Sequence, residues 1–187
     1  MNAESTLTAW LAAEAEQRSR RDAGAGVGVS RPEVMATMDG LGQLQAMLRG
    51  ELPSPPISLT LDFTLLEIER GRAVFQGAPS SAHFNPMGGV HGGWYATLLD
   101  SALGCAVHST MPQGKGYTTL ELKINLVRAI GPQVQRVRAI GHTIHVGGQT
   151  ATADARLVGP DGKLYAHGST TCLVFDMRLP ARPQSAA

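Results

Sequence analysis

Between His83 and Asp100 the chain reads HFNPMGGVHGGWYATLLD, and three groups in it can do chemistry together. Asn85 offers an amide, His91-Gly92-Gly93 opens an apolar helical run, and Asp100 is the single carboxylate inside that run. Glycines at a helix start let another molecule approach the backbone closely, and the free N–H groups there favour a developing negative charge. An acid two turns further on is costly to bury unless it is used or paired. Together they outline a site that stabilises an oxyanion and activates water, as acyl-transfer hydrolysis requires. A backbone N–H aimed at a tetrahedral oxyanion contributes roughly 2.7–4 kcal/mol, and a side chain at Gly92 would crowd the substrate. His91 either orients the loop toward a carbonyl or only caps the helix.

The helix geometry separates these groups. From Gly92 to Asp100 a helix rises about 12 Å at 1.5 Å per residue, too far for an aspartate side chain to reach its own chain's oxyanion site. If both serve one reaction, they come from different subunits with facing helices, so the spacing predicts a homodimer with two composite sites. The face of Asp100 carries Gly93, Ala96, Thr97 and Gly104, small residues that leave room for a ligand or a close partner. The bland alternative for Asp100 is a helix acid bound to neighbouring backbone or to a structural arginine. Direct attack on carbon and deprotonation of water fit the same spacing equally well.

Other candidates carry less. His142 and His145 stand three apart on an expected strand, on opposite faces, a poor metal pair. His83, His108 and His167 read as surface or loop histidines, and Trp94 and Tyr95 as core or dimer packing. Gly147-Gly148 is a turn with no phosphate-binding pattern around it. Lys123, Arg128, Arg136 and Arg138 are basic groups of the kind that meet phosphates, although outward strand charges are usually just solvated.

The elements that must hold these residues follow from hydrophobic period and turn chemistry. Residues 4–21 read as a helix, 23–30 (AGAGVGVS) as a glycine-rich linker, and 32–49 as a second helix behind Pro32. The ELPSPPIS segment after Gly50 marks the boundary between an N-terminal helical extension (1–55) and a folded domain (56–178), with a loose tail at 179–187. Strands are expected at 59–69 and 72–79 with a turn at Arg70-Gly71, then the helix from Gly92 to His108. A strand follows at 118–128, where Leu120, Leu122, Ile124 and Leu126 alternate with polar neighbours. Further strands at 133–145, 149–158 and 164–177 are joined by turns at Gly147-Gly148 and Pro160-Asp161-Gly162. Two strands, a long apolar helix and four strands make an α+β arrangement in which an antiparallel sheet wraps the helix.

Composition bounds the rest. The chain has 187 residues, 43% hydrophobic and 17% charged, with a net charge of +1, so nucleic acid is not an expected partner. Cys105 and Cys172, with no Cys-x-x-Cys spacing, read as free buried thiols in a reducing cytoplasm rather than a disulfide or zinc site. No segment reaches the roughly 18 apolar residues of a membrane span, and no signal sequence is read at the N-terminus. The expected location is cytoplasmic.

Asn85, the six-residue step to His91-Gly92-Gly93, and Asp100 within Leu98-Leu99-Asp100 resemble the hotdog-fold acyl-CoA thioesterases of the phenylacetate-degradation (PaaI-like) type, over roughly Pro56 to Met177. The resemblance implies a hotdog fold and hydrolysis of an acyl-CoA thioester without metal or bound cofactor, coenzyme A being part of the substrate. It implies that Gly92 supplies the oxyanion-hole N–H, that Asn85 helps to place the carbonyl or the water, and that Asp100 is general base or nucleophile. Thr119 matches a hydroxyl residue that positions water, and His91 and Gly93 adjoin the substrate. Homodimers, or dimers of dimers, are expected. Two other readings remain: a hotdog dehydratase or hydratase using His91 with Asp100, and a non-catalytic acyl-CoA-binding module.

Overall fold

The computed structural model describes residues 2–177, so the tail expected from residue 179 lies outside them. Six antiparallel strands, β1 (Phe63–Glu69), β2 (Arg72–Gly77), β3 (Lys115–Leu126), β4 (Val137–Val146), β5 (Thr150–Val158) and β6 (Leu164–Asp176), form one sheet in the order β1-β2-β4-β5-β6-β3. The sheet curls around one long helix, Gly92–His108, which is α5 after four helices in the N-terminal part. The expected hotdog arrangement is therefore the one observed.

The sheet can close on the helix because its inward side chains are small where the two meet. Ala139 on β4 and Ala151, Ala153 and Ala155 on β5 are buried against Leu98, Leu99, Ala102, Leu103, Ala106 and Val107 of α5. Each large apolar side chain among them contributes about 1.5–3 kcal/mol on full burial. At Gly141 of β4 the approach is closest: a Cβ there would lie 2.4 Å from the Ala102 carbonyl oxygen.

The N-terminal part folds back on this unit. Helix α1 (Ala3–Ala23) starts at Asn2, whose side chain accepts the Ser5 N–H at 2.8 Å. Its buried residues are Glu14, Gln17 and Arg21, so it docks by hydrogen bonds rather than by an apolar stripe. Glu14 accepts from Gln76 on β2 at 2.7 Å and pairs with Arg136 and Arg18. The Arg138 guanidinium lies 4.4 Å over the Trp10 ring. Burial raises the Glu14 carboxyl, but the hydrogen bonds from Arg136 and Gln76 and the charges of Arg136 and Arg18 outweigh it, and its pKa ends below the usual value.

The single helix expected over 32–49 is two. A short α2 (Pro32–Met35) is followed by α3 (Gly40–Leu48), because Asp39 turns its carboxylate back onto the Gly42 N–H at 2.7 Å and caps a new helix. Gly40 then fits against the end of α5, its N–H donating to the Met111 carbonyl at 3.0 Å. The first strand also begins later than expected. Pro56 opens a one-turn helix, α4 (Pro56–Thr60), so β1 starts at Phe63 rather than 59.

Two bulges alter which side chains face inward. On β3 the partners of β6 step from Thr119↔Cys172 to Glu121↔Thr171, leaving Leu120 as the extra residue, 61% exposed. Unbroken alternation would point Leu120 at the helix; the bulge points Thr119 there instead. On β4 the step between Thr143 and His145 leaves Ile144 extra. His142 and His145 consequently share the outer face, which corrects the expectation of opposite faces.

Candidate active site

The start of α5 is prepared by a tight loop. Asn85 accepts the Met87 and Gly89 N–H groups through its side-chain oxygen at 2.9 and 3.2 Å, and its own N–H donates to the Gly89 carbonyl at 2.7 Å. Gly88 supplies the left-handed residue of this turn, with φ of +80°. The side-chain oxygen of Asn85 is thus spent on the loop, while its NH₂ group has no acceptor among the described residues. His91 is the N-cap of α5: its N–H donates to His83 O at 2.8 Å and its Nδ1 accepts the Gly93 N–H at 2.9 Å. Of the two roles open to His91, the geometry displays the capping one. The Gly92 N–H finds no acceptor among the described residues. A Cβ on Gly92 would come 3.3 Å from Leu126 Cδ1, so glycine keeps this approach open. A groove of about 360 Å³ runs beside the loop, bordered by Asn85, Tyr95, Leu126 and Arg128.

Asp100 stands two turns further along, on the side of α5 that the sheet leaves partly open, where Ala96, Thr97, Ser101 and Cys105 are also only partly buried. Thr119 donates its hydroxyl to Asp100 Oδ1 at 3.2 Å. The β3 bulge makes this contact possible. Asp100 also lines a cavity of about 200 Å³ with Phe63, Phe75, Cys105, Tyr117 and, from α3, Leu44 and Met47. Burial, with a smaller push from the Asp100 charge, raises the Cys105 thiol to about 12. Burial likewise pushes the Tyr117 hydroxyl well above its ordinary value, with Cys105, Asp100 and Cys172 adding to it. Both groups stay neutral beside the one carboxylate.

The structure therefore brings Asn85, His91, Gly92 and Gly93 together at the helix start, and Asp100 with Thr119 elsewhere on the same helix. Within one chain the two groups do not meet, in keeping with the roughly 12 Å rise between them.

Several lesser candidates fall away. Arg136 is held by Glu14, and Arg138 by Gln76 at 2.9 Å and Glu67 at 3.2 Å beneath α1, so neither is free for a phosphate. Arg128 and Lys123 stay exposed. His83 is buried, corrected from a surface or loop reading: its ring stacks on Trp94 at 5.7 Å and its Nδ1 accepts the Ser80 N–H. His108 is partly buried and meets Gln43 of α3 at 2.7 Å, whereas His167 is exposed. Trp94 and Tyr95 are core residues, with Trp94 Nε1 donating to Leu61 O and the Tyr95 hydroxyl accepting the Ile130 N–H. Among the described residues no group of three or more His, Cys, Asp and Glu could hold a metal ion, and no helix is long and apolar enough to cross a membrane.

Sequence reasoning missed the contribution of the N-terminal part to the Asp100 cavity. Leu41, Leu44 and Leu48 stand at helical spacing within the helix expected over 32–49, but nothing local tells what they face. Tyr117 carried a usable signal, since it stands two residues before Thr119 on the same strand face.

With this geometry in hand, comparisons with known proteins become specific. A family model described as thioesterase superfamily matches residues 87–166. A thioesterase-superfamily protein from Bordetella is 30% identical, with 63% of this chain and 88% of that one covered and a TM-score of 0.55. A phenylacetic acid degradation-related protein from Ralstonia eutropha JMP134 is 28% identical, with 70% and 98% covered and a TM-score of 0.64. An Asn-to-Asp variant of the phenylacetic acid degradation protein PaaI from Thermus thermophilus is 28% identical, with 63% and 97% covered and a TM-score of 0.57. Roughly a third of this chain therefore has no counterpart in these three structures. No curated protein is significantly similar to the chain.

Proposed function

Because this chain belongs to the thioesterase superfamily, with PaaI-like proteins among its structural relatives, we propose that it hydrolyses an acyl-CoA thioester to a free acid and coenzyme A. It works as a homodimer, or a pair of such dimers, without metal or bound redox cofactor. The observation that carries the reading is the Asp100–Thr119 pair, 3.2 Å apart on the open side of α5 and bordering a cavity.

In this mechanism Asp100 is the general base. Thr119 fixes one carboxylate oxygen, and its hydroxyl oxygen is left to accept from a water molecule. The carboxylate takes a proton from that water as the oxygen bonds to the thioester carbon. The electron pair of the C=O bond moves to oxygen, which the Gly92 N–H of the partner subunit receives, with the Asn85 NH₂ beside it. Collapse of the tetrahedral centre breaks the C–S bond, and the departing thiolate takes the proton held by Asp100. His91 holds the oxyanion loop through its cap on Gly93, and Arg128 at the groove suits a phosphate of coenzyme A.

The sheet edge favours the assembly. β3 is an edge strand of the sheet and carries exposed Leu120 and Leu126, features that invite pairing with a second copy. Facing α5 helices across such a joint would bring the Asp100 of one chain to the Gly92 of the other.

The test is thiol release from a panel of acetyl-, hexanoyl-, dodecanoyl- and phenylacetyl-CoA by wild type and Asp100→Asn. Wild type is expected to cleave at least one, and Asp100→Asn to lose about 10²–10⁴-fold in kcat/KM. Release from none, or undiminished activity in the variant, contradicts the proposal.

A further inference from the structure

The Asp100 cavity has a wall that the sheet and central helix do not provide. Leu44 and Met47 of α3, together with Ser54 from the segment after it and Ser58 of α4, border the cavity along with the strand residues Phe63 and Phe75. The residues up to 55 lie outside the sheet-and-helix unit, and roughly a third of this chain has no counterpart in the solved relatives. The wall is packed in place. Leu44 is 5% exposed, Gly40 sits against the last turn of α5, and the Gln43 side chain is bonded both to His108 at 2.7 Å and to the Met35 carbonyl at 2.8 Å. A wall fixed by core burial and side-chain hydrogen bonds bounds a cavity, where a mobile lid would not.

We infer that the N-terminal extension determines acyl specificity, with Met47 and Leu44 as the residues that limit the length of the acyl group held beside Asp100. The inference rests on the thioester-hydrolase reading for the identity of the occupant. The cavity measures about 200 Å³. Since an apolar cavity of about 150 Å³ holds one benzene molecule, this space takes a short or compact acyl group on the order of eight heavy atoms. Its lining is mostly apolar, with Leu44, Met47, Phe63 and Phe75 beside hydroxyls such as Ser54 and Thr64, and its one carboxylate is Asp100, so it suits an uncharged, largely apolar chain. Longer linear chains must displace Met47, the flexible member of the wall.

Two substitutions of opposite sense test this in the full chain. Met47→Ala deepens the cavity and is expected to raise the dodecanoyl-to-hexanoyl ratio of kcat/KM about tenfold, the scale of one or two methylenes in an apolar pocket. Met47→Trp fills it and is expected to lower the hexanoyl-to-acetyl ratio by about the same factor. Calorimetric titration with non-hydrolysable thioether analogues of the same three acyl-CoAs gives a readout independent of turnover, and affinities should move in the same directions. Wild-type turnover with chain-length profiles unmoved in both variants overturns the wall assignment and leaves the hydrolase reading standing. No turnover of any acyl-CoA, with analogue affinities that shift as expected, sinks the hydrolase reading and supports the wall. Neither turnover nor analogue binding overturns both.

Discussion

A carboxylate on a helix becomes useful when a neighbour fixes one of its oxygens and leaves space at the other. Thr119 does the first for Asp100, and the cavity does the second. Removing the hydroxyl without changing the shape should separate these contributions. Thr119→Val is expected to cost about 10- to 100-fold in kcat, the range for a hydrogen bond to a charged group, while Thr119→Ser should restore most of it. Equal activity in Thr119→Val would show that the hydroxyl has no part in positioning Asp100 or water. His108 illustrates a buried group with a different task. Its Nε2 donates to Gln43, while Nδ1 is buried with no partner among the described residues, so an added proton there would find no acceptor among them. Burial depresses its pKa, partly offset by the charge of Asp39. The unfolded chain binds that proton from about pH 6.5 downward, but the folded chain does so only at lower pH. The stability owed to neutral His108 is therefore present above about pH 6.5 and is lost as the pH falls toward its lowered folded value. Urea midpoints of wild type should fall more steeply over that window than those of His108→Asn. Parallel curves would contradict it.

At the scale of elements, the site depends on where strands break their alternation and where they approach the helix. Gly141 lets β4 lie against α5, so Gly141→Ala is expected to cost about 1–3 kcal/mol through overpacking against backbone that cannot move aside. Chemical denaturation measures it, and an unchanged midpoint would mean that the sheet does not grip the helix there. Most elements were legible from period and punctuation. The apolar run after His91-Gly92-Gly93 does form the helix, Arg70-Gly71 does turn the first hairpin, and Gly162, at φ of +75°, sits in the turn before the last strand. The errors lie where tertiary pairing or a short local cap overrides the period. The Leu120 bulge is settled by Cys172 and Thr171 across the strand pair, and Gly40 by the end of α5, whereas the later start of β1 and the break before α3 turn on the nearby Pro56 and the Asp39 cap. Thr119 was reached through family resemblance, because the alternation of Leu120, Leu122, Ile124 and Leu126 turned it away from the helix. The competing pulls on Arg136 and Arg138 were likewise invisible, since the Glu14 and Trp10 that claim them are more than a hundred residues away in the chain.

The whole molecule is a sheet-wrapped helix with an extension folded against it, and its proposed chemistry is divided between two places on that helix. In that proposal one protomer would offer an oxyanion donor at Gly92 and a carboxylate at Asp100, separated by about 12 Å of helix, and two protomers would offer both to one carbonyl. The extension belongs to the same account, because Leu44 and Met47 of α3 line the Asp100 cavity together with residues of the sheet and of α5. Subunit exchange tests this account most directly. Asp100→Ala and Asn85→Ala chains, each inactive alone, are mixed under conditions where exchange is verified by mass, and thioester cleavage is followed. The account predicts that activity returns in the mixture, because each heterodimer rebuilds one intact site from two damaged chains. Verified heterodimers that remain inactive would contradict it.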